Sequence, residues 1–215
     1  MRVRYCTLEF PDFDLHVRSL RDTQEFDDVG GEAAALGISS ATWSTFGVLW
    51  DSGRVLAGVM TDVDIAGLRI LEVGCGLGLP SLVLNHRQAD ITATDLHPSA
   101  GRFLARNAAL NDDEPIPFVR TGWTDDDHGL GLFDLIIGAD VLYEAPHVRM
   151  LSDFVHEHLA PGGQVVLVDP GRKLHARFSR RMVELGYAHE QRRVPSDESE
   201  HAVAGTRVLT YDRPA

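Results

Sequence analysis

Residues 69–80 read RILEVGCGLGLP, an apolar run that enters three glycines spaced two apart, Gly74, Gly76 and Gly78, with Pro80 following them. The run has the composition of a buried strand, and proline favours the first turn of a helix, so the stretch predicts strand, loop and helix in that order. That is the opening of a βαβ unit around a parallel sheet, where ligands bind outside the carboxyl ends of the strands. Glycines there allow a sharp bend and a close backbone approach to a ligand.

The spacing narrows the ligand. A dinucleotide fingerprint needs G-x-G-x-x-G/A, but counting from Gly74 the third small position is Leu79. The sequence instead has Glu72 followed by the G-x-G-x-G of Gly74, Gly76 and Gly78. An acid beside the loop suits a ligand with an ammonium and a sulfonium and disfavours a pyrophosphate. S-adenosylmethionine carries both cations. Asp95 closes the next strand in TATDLHP, 21 positions after Gly74, where a carboxylate can accept bonds from ribose hydroxyls. Its plainer reading is an N-cap for a helix starting near Pro98, and His97 beside it reads as a helix-entry residue.

Outward from this loop, apolar runs alternate with amphipathic segments. Strands are expected at 69–73, 90–94, 116–120, 133–139 and 164–169. Helices are expected at 80–87, 98–111, 146–160 (stopped by Pro161-Gly162-Gly163) and 173–185 (stopped by Gly186). Residues 50–60 form a further helix that Gly53 and Gly58 weaken. Residues 187–194 and 203–211 read as a closing antiparallel hairpin joined by the polar loop 195–202. At the N-terminus, strands at 3–10 and 15–20 precede an irregular stretch from 22 to 44. Residues 1–46 are therefore read as an extension within the same unit, and 47–215 as the ligand-binding domain.

The chain has 215 residues, 20 Lys and Arg against 32 Asp and Glu, and a net charge of −12, with 44% apolar and 24% charged residues. This is the composition of one ordinary globular domain. The negative balance repels a phosphate backbone, so nucleic acid is not an expected partner. The clusters at 27–28, 112–114 and 125–127 read as solvated loops. Two cysteines, Cys6 and Cys75, make a disulfide framework unlikely, no apolar run reaches the roughly 20 residues of a membrane span, and MRVRYCTLEFPDF lacks a signal-peptide core. A cytoplasmic protein is expected. No metal site is expected, since His156 and His158 are two apart on a helix and point to different faces.

In FGVLWDSGRVLAGVM (46–60), the glycine loop, TATDLHP, residues 119–123 and FDLIIGADVLYE (133–144), the sequence resembles the seven-strand S-adenosylmethionine-dependent methyltransferases. Within them it resembles the protein-lysine methyltransferase branch; the resemblance spans about residues 47–169. It implies a Rossmann-like α/β sheet with helices on both faces and a C-terminal antiparallel hairpin. It implies that Trp50 flanks the cofactor, that Gly74, Cys75 and Gly76 contact it, that Asp95 and the adjoining Leu96 bind its nucleoside, that Trp123 lies beside adenine and that Ala139 touches it from the fourth strand. From the residues alone, Trp50 reads as a core residue and Trp123 equally as a lid.

Asp140 and Tyr143 match the Asp/Glu-x-x-Tyr motif of that branch and fall at the carboxyl end of a strand. Methyl transfer to an amine needs positioning and loss of a proton, and a carboxylate can orient the incoming amine as a cation. The expected function is N-methylation of a protein lysine; the alternatives are a small-molecule amine acceptor or a non-catalytic module that retains the nucleoside site. VDPGRK (168–173) is similar to relatives that methylate an electron-transfer flavoprotein, although Arg172 and Lys173 read more simply as solvated bases in a turn. The loop DDDHGLG (125–131) has no counterpart in the family pattern.

Overall fold

The strand at the glycine loop is buried on both sides because its neighbours cover both faces. In the computed structural model, which describes residues 1–125, 129–195 and 203–215, this strand is β3 (Arg69–Glu72). Residues 126–128 of the loop after Trp123, and 196–202 of the polar loop between the last two strands, lie outside the described residues. β3 pairs in parallel with β4 (Asp90–Asp95) on one side and β6 (Phe133–Ala139) on the other. β5 (Phe118–Arg120) extends the β4 side, and β7 (Leu159–Asp169) the β6 side. β9 (Arg207–Asp212) runs antiparallel to β7, and β8 (Ala188–Arg193) closes the edge, giving the order β5-β4-β3-β6-β7-β9-β8. The expected seven-strand sheet and its C-terminal hairpin are therefore present.

Successive strand side chains point to opposite faces, and here both faces are dry. Ile70, Leu135, Ile137, Val166 and Val168 join one cluster with Leu56 and Met60 of α2 (Asp51–Asp62), Leu82 of α3 (Leu79–His86) and Leu104 of α4 (Ala100–Leu110). Leu71, Ile136, Val165 and Leu167 join the other with Leu151 and Val155 of α5 (His147–His158) and Phe178 and Met182 of α6 (His175–Glu184). The chain steps outward from β3 in both directions, so the loops after β3, β4 and β6 open at a topological switch point.

Several boundaries differ from the sequence expectation, most of all the strand expected over 203–211, which runs from Arg207 to Asp212; two others have a plain cause. The helix expected over 146–160 ends at His158, and Leu159, fully buried, already pairs with Phe133 before an irregularity that absorbs Pro161 to Gly163. The strand expected from 116 begins at Phe118, because Pro117 has no N–H for the ladder and contributes only its carbonyl, which accepts from Ala93 N.

The N-terminal strands β1 (Val3–Glu9) and β2 (Asp14–Leu20) form a separate two-stranded sheet, with Leu15, Val17 and Leu20 in the first core. α4 holds its edge with two amides. Asn107 accepts from Arg18 N at 2.8 Å and donates to Arg18 O at 3.2 Å, and Asn111 does the same to His16 at 2.7 and 2.9 Å. One helical turn apart, these side chains replace the peptide groups of a missing third strand. A four-residue helix α1 (Glu32–Ala35) and a 3-10 turn at Thr45–Gly47 lead into α2. Among the described residues no helix is long and apolar enough to cross a membrane.

Candidate cofactor and acceptor site

The glycine loop is left-handed at all three glycines, with φ of 60° at Gly74, 55° at Gly76 and 69° at Gly78. Its crowding has two sources. A Cβ at Gly78 would lie 2.5 Å from Leu104 Cδ1, and one at Gly76 would lie 3.1 Å from the Phe46 carbonyl oxygen. Cys75 N donates to Thr94 O at 2.9 Å, which ties the loop to β4. Asp95, half-buried at the end of β4, accepts from Gly76 N at 2.8 Å and from His97 N at 2.7 Å. Burial raises its carboxyl above the ordinary aspartate range, against the lowering effect of those two bonds. Leu96 lies half-buried beside it.

Glu72 lies directly before the loop and has a structural partner that its charge alone did not reveal. Its carboxyl is buried beneath the loop and accepts from Ser81 N at 2.9 Å and from the Ser81 hydroxyl, so it anchors the first turn of α3. Burial pushes its pKa up to about 8. His97 stands at the entry of α4, accepts from Ser99 N through Nδ1 and stacks on Phe46 at 3.9 Å between centroids. Burial lowers its pKa to about 4, so it is neutral at physiological pH.

Trp50 is 40% exposed, caps the start of α2 and donates its indole N–H to Thr45 O at 2.9 Å. That bond fastens it to the turn whose Phe46 carbonyl abuts Gly76. Trp123 is half-buried with its ring edge 3.7 Å from where a Gly74 Cβ would be. The structure thus gathers Trp123, Gly74, Gly76 and Asp95 at one strand-end cleft, with Ala139 half-buried at the end of β6 next to it.

Asp140 follows Ala139 in a left-handed conformation, φ 54°. The other two non-glycine residues of this kind among the described residues, Gln88 and Asp112, stand just past the ends of α3 and α4, where left-handed caps are ordinary. Asp140 follows a strand, and strain of this sort gathers at functional sites. Tyr143, 48% exposed, rims the cleft; burial first, then the charges of Asp95, Glu144 and Asp140, push its pKa up to about 12, which keeps the hydroxyl protonated. His147 was not among the residues expected at the site. Its ring sits edge-on to Tyr143 at 4.6 Å and to Trp123 at 5.1 Å, and Nδ1 donates to Val141 O. Its position four residues after Tyr143 was the only available signal.

Arg172 is not a solvated base. It grips Asp140 with both arms of the guanidinium, Nε to Oδ1 at 2.5 Å and Nη2 to Oδ2 at 2.9 Å. The simpler turn reading fails for it because the β7–α6 turn faces the end of β6, a neighbour 32 residues away in sequence; Lys173 does remain exposed. No group of three His, Cys, Asp or Glu that could hold a metal gathers among the described residues.

The profile of the methyltransferase-domain family matches residues 53–204. The chain belongs to this family. The methyltransferase domain is 33% identical over 141 residues to protein N-lysine methyltransferase METTL21A of Danio rerio, covering 60% of this chain and 63% of that protein. It is 29% identical over 136 residues to the electron transfer flavoprotein beta subunit lysine methyltransferase of Xenopus laevis, covering 61% and 53%. The chain thus spans less than two thirds of the length of these curated relatives. In fold the domain is similar to magnesium protoporphyrin IX methyltransferase of Synechocystis with bound SAM, at a TM-score of 0.60, 17% identity and coverage of 76% and 80%.

Proposed function

We propose that this protein is an S-adenosylmethionine-dependent methyltransferase that N-methylates a lysine side chain of a protein substrate. The observation that carries the reading is Asp140, held in a strained conformation at the end of β6 beside the glycine loop, with Tyr143 on the rim. The lysine-methyltransferase names of the relatives support the acceptor class.

The residues fit the cofactor. Asp95 presents a carboxylate at the strand end with oxygen lone pairs left over after its two backbone bonds, which suits ribose hydroxyls. Trp123 and Leu96 offer apolar surface for a flat base, and the bare backbone of Gly74 to Gly78, together with Cys75, admits close approach. Glu72 supports the loop from below through Ser81 instead of meeting the ligand. When bound, S-adenosylmethionine supplies an electrophilic methyl group on a sulfonium. Asp140 then receives the lysine ammonium and fixes its direction, and the proton passes to water as the amine becomes a nucleophile. Tyr143, protonated across the physiological range, donates a hydrogen bond or walls the lysine slot.

Residues 1–46 are proposed to belong to the same unit as 47–215, a reading supported by the Asn107 and Asn111 clamps on β2. A cytoplasmic setting is favoured by the two free thiols, Cys6 and Cys75. The test is incubation with methyl-labelled S-adenosylmethionine and an extract of the source cells, with Asp140→Asn as control. Label in discrete protein bands, absent from the control, is the expected result. Label confined to the small-molecule fraction overturns the protein acceptor.

A further inference from the structure

The carboxylate assigned to the acceptor already carries a cation. Arg172 holds Asp140 in the bidentate pair, and its backbone is fixed: Arg172 N and Gly171 N donate to Asp169 Oδ1 at 2.7 and 2.8 Å, and the Arg172 carbonyl meets the His175 ring. Only the side chain is free to leave. The two partners differ in cover, with 14% of the Asp140 side chain exposed against 44% for Arg172. An enclosed carboxylate cannot give up its partner to water without a substitute, whereas a half-exposed guanidinium can.

An entering ammonium restores the charge balance at Asp140 and releases Arg172 at the rim. The rim carries both signs, for Glu144 is exposed beside Tyr143 while Arg172 faces Asp140. Lys173 adjoins Arg172, and Arg177 and Arg180 stand exposed on the first turns of α6; among the described residues none of the three has an acidic partner, while Arg181 is neutralised by Asp153 at 3.1 Å. The net charge of −12 would by itself favour a basic target, whereas a released Arg172 with Lys173 next to it gives the rim a local place for an acidic group.

We propose that Arg172 is a displaceable stand-in for the substrate cation and sets acceptor specificity by exchange of ion pairs. The lysine ammonium takes the place of Arg172 on Asp140, and a carboxylate near that lysine in the substrate takes the place of Asp140 on Arg172. No charge is left alone, so the favoured acceptor is a lysine in an acidic local sequence. This rests on the methyltransferase reading above.

The test uses heavy-methyl S-adenosylmethionine and an extract of the source organism, treated with wild type, Arg172→Gln or Arg172→Glu. Modified lysines are mapped by mass spectrometry, and binding of S-adenosylhomocysteine to each protein is measured by calorimetry. For wild type, Asp and Glu within three residues of the modified lysine should be enriched about threefold over all lysines of the extract, the worth of one exposed ion pair. The bias should vanish in Arg172→Gln and turn toward Lys and Arg in Arg172→Glu. Unbiased or basic flanks around the wild-type sites overturn the exchange while the methyltransferase reading stands, and this readout needs no variant to fold. A bias that persists in Arg172→Gln also overturns it. A wild-type protein that binds S-adenosylhomocysteine yet labels no protein overturns the proposed function and this inference together.

Discussion

The buried Glu72 gives the protein a pH dependence that can be worked out in advance. Its carboxyl ionises near 4.5 in the unfolded chain and near about 8 in the folded one. Between those values the folded state holds a proton the unfolded state lacks, so stability falls as pH rises, by about 1.4 kcal/mol per pH unit. His97 acts the other way. Its pKa drops from 6.5 to about 4 on folding, so across that interval the unfolded state holds the extra proton and stability rises with pH. The two slopes oppose each other up to about pH 6.5; above it the His97 slope fades over the next unit and Glu72 dominates. From pH 6.5 to 8 the Glu72 slope, halved by the time pH reaches about 8, removes about 1.6 kcal/mol, of which the fading protonation of His97 in the unfolded chain returns about 0.4, a net loss of about 1 kcal/mol. For a chain of this size that is a fall in Tm of about 2–4 °C. Glu72→Gln removes the titration but keeps an oxygen that accepts from Ser81 N and its hydroxyl. Thermal melts of the ligand-free protein, followed by circular dichroism at pH 6.5 and 8.0, should show the fall in wild type and a flat response in Glu72→Gln. An equal fall in both proteins, or none in wild type, would refute the reasoning.

Three further outcomes follow from the same contacts. Gly78→Ala must place a Cβ at φ 69° and 2.5 Å from the buried Leu104, which should cost about 2 kcal/mol in urea unfolding and weaken S-adenosylhomocysteine binding. Asp95→Asn keeps an oxygen for the Gly76 N–H but turns its NH2 toward the His97 N–H and loses the charge; calorimetry should show S-adenosylhomocysteine affinity reduced about tenfold or more, with Tm lowered by a few degrees for the one lost bond. Asn107→Ala leaves the backbone N–H and C=O of Arg18 without partners at the β2 edge, at a cost of about 1–3 kcal/mol, and amide exchange over Asp14–Leu20 should speed up more than over β3.

The strand, glycine loop and helix around Gly74 were legible because each βαβ unit is local: alternating apolar runs, Pro80 and the loop glycines all act within a few residues of one another. The same holds for Asp95, whose place at the end of a strand follows from counting. The reading weakened where a partner distant in sequence decided the outcome. Leu159 left its helix because Phe133 offered a buried pairing position, and β5 shortened because Pro117 cannot donate. The expectation for Glu72 came from its charge beside the loop, and the support it gives to α3 through Ser81 could not be read from the sequence. For Arg172 the turn residues were read correctly as a turn, but nothing in VDPGRK reveals that Asp140 lies opposite.

By itself the sequence determined the class of fold, the position of the loop and the place of Asp95, since periodicity and spacing are properties of short segments; the residues expected to serve an amine came from its resemblance to the lysine methyltransferases. Only the tertiary structure decided which of those side chains face the cleft, which are spent on support and which are already paired. Contacts such as Arg172 with Asp140, or Asn107 with Arg18 across 89 residues, exist only once separate elements are packed, and the burial that moves the pKa values of Glu72 and His97 arises in the same step.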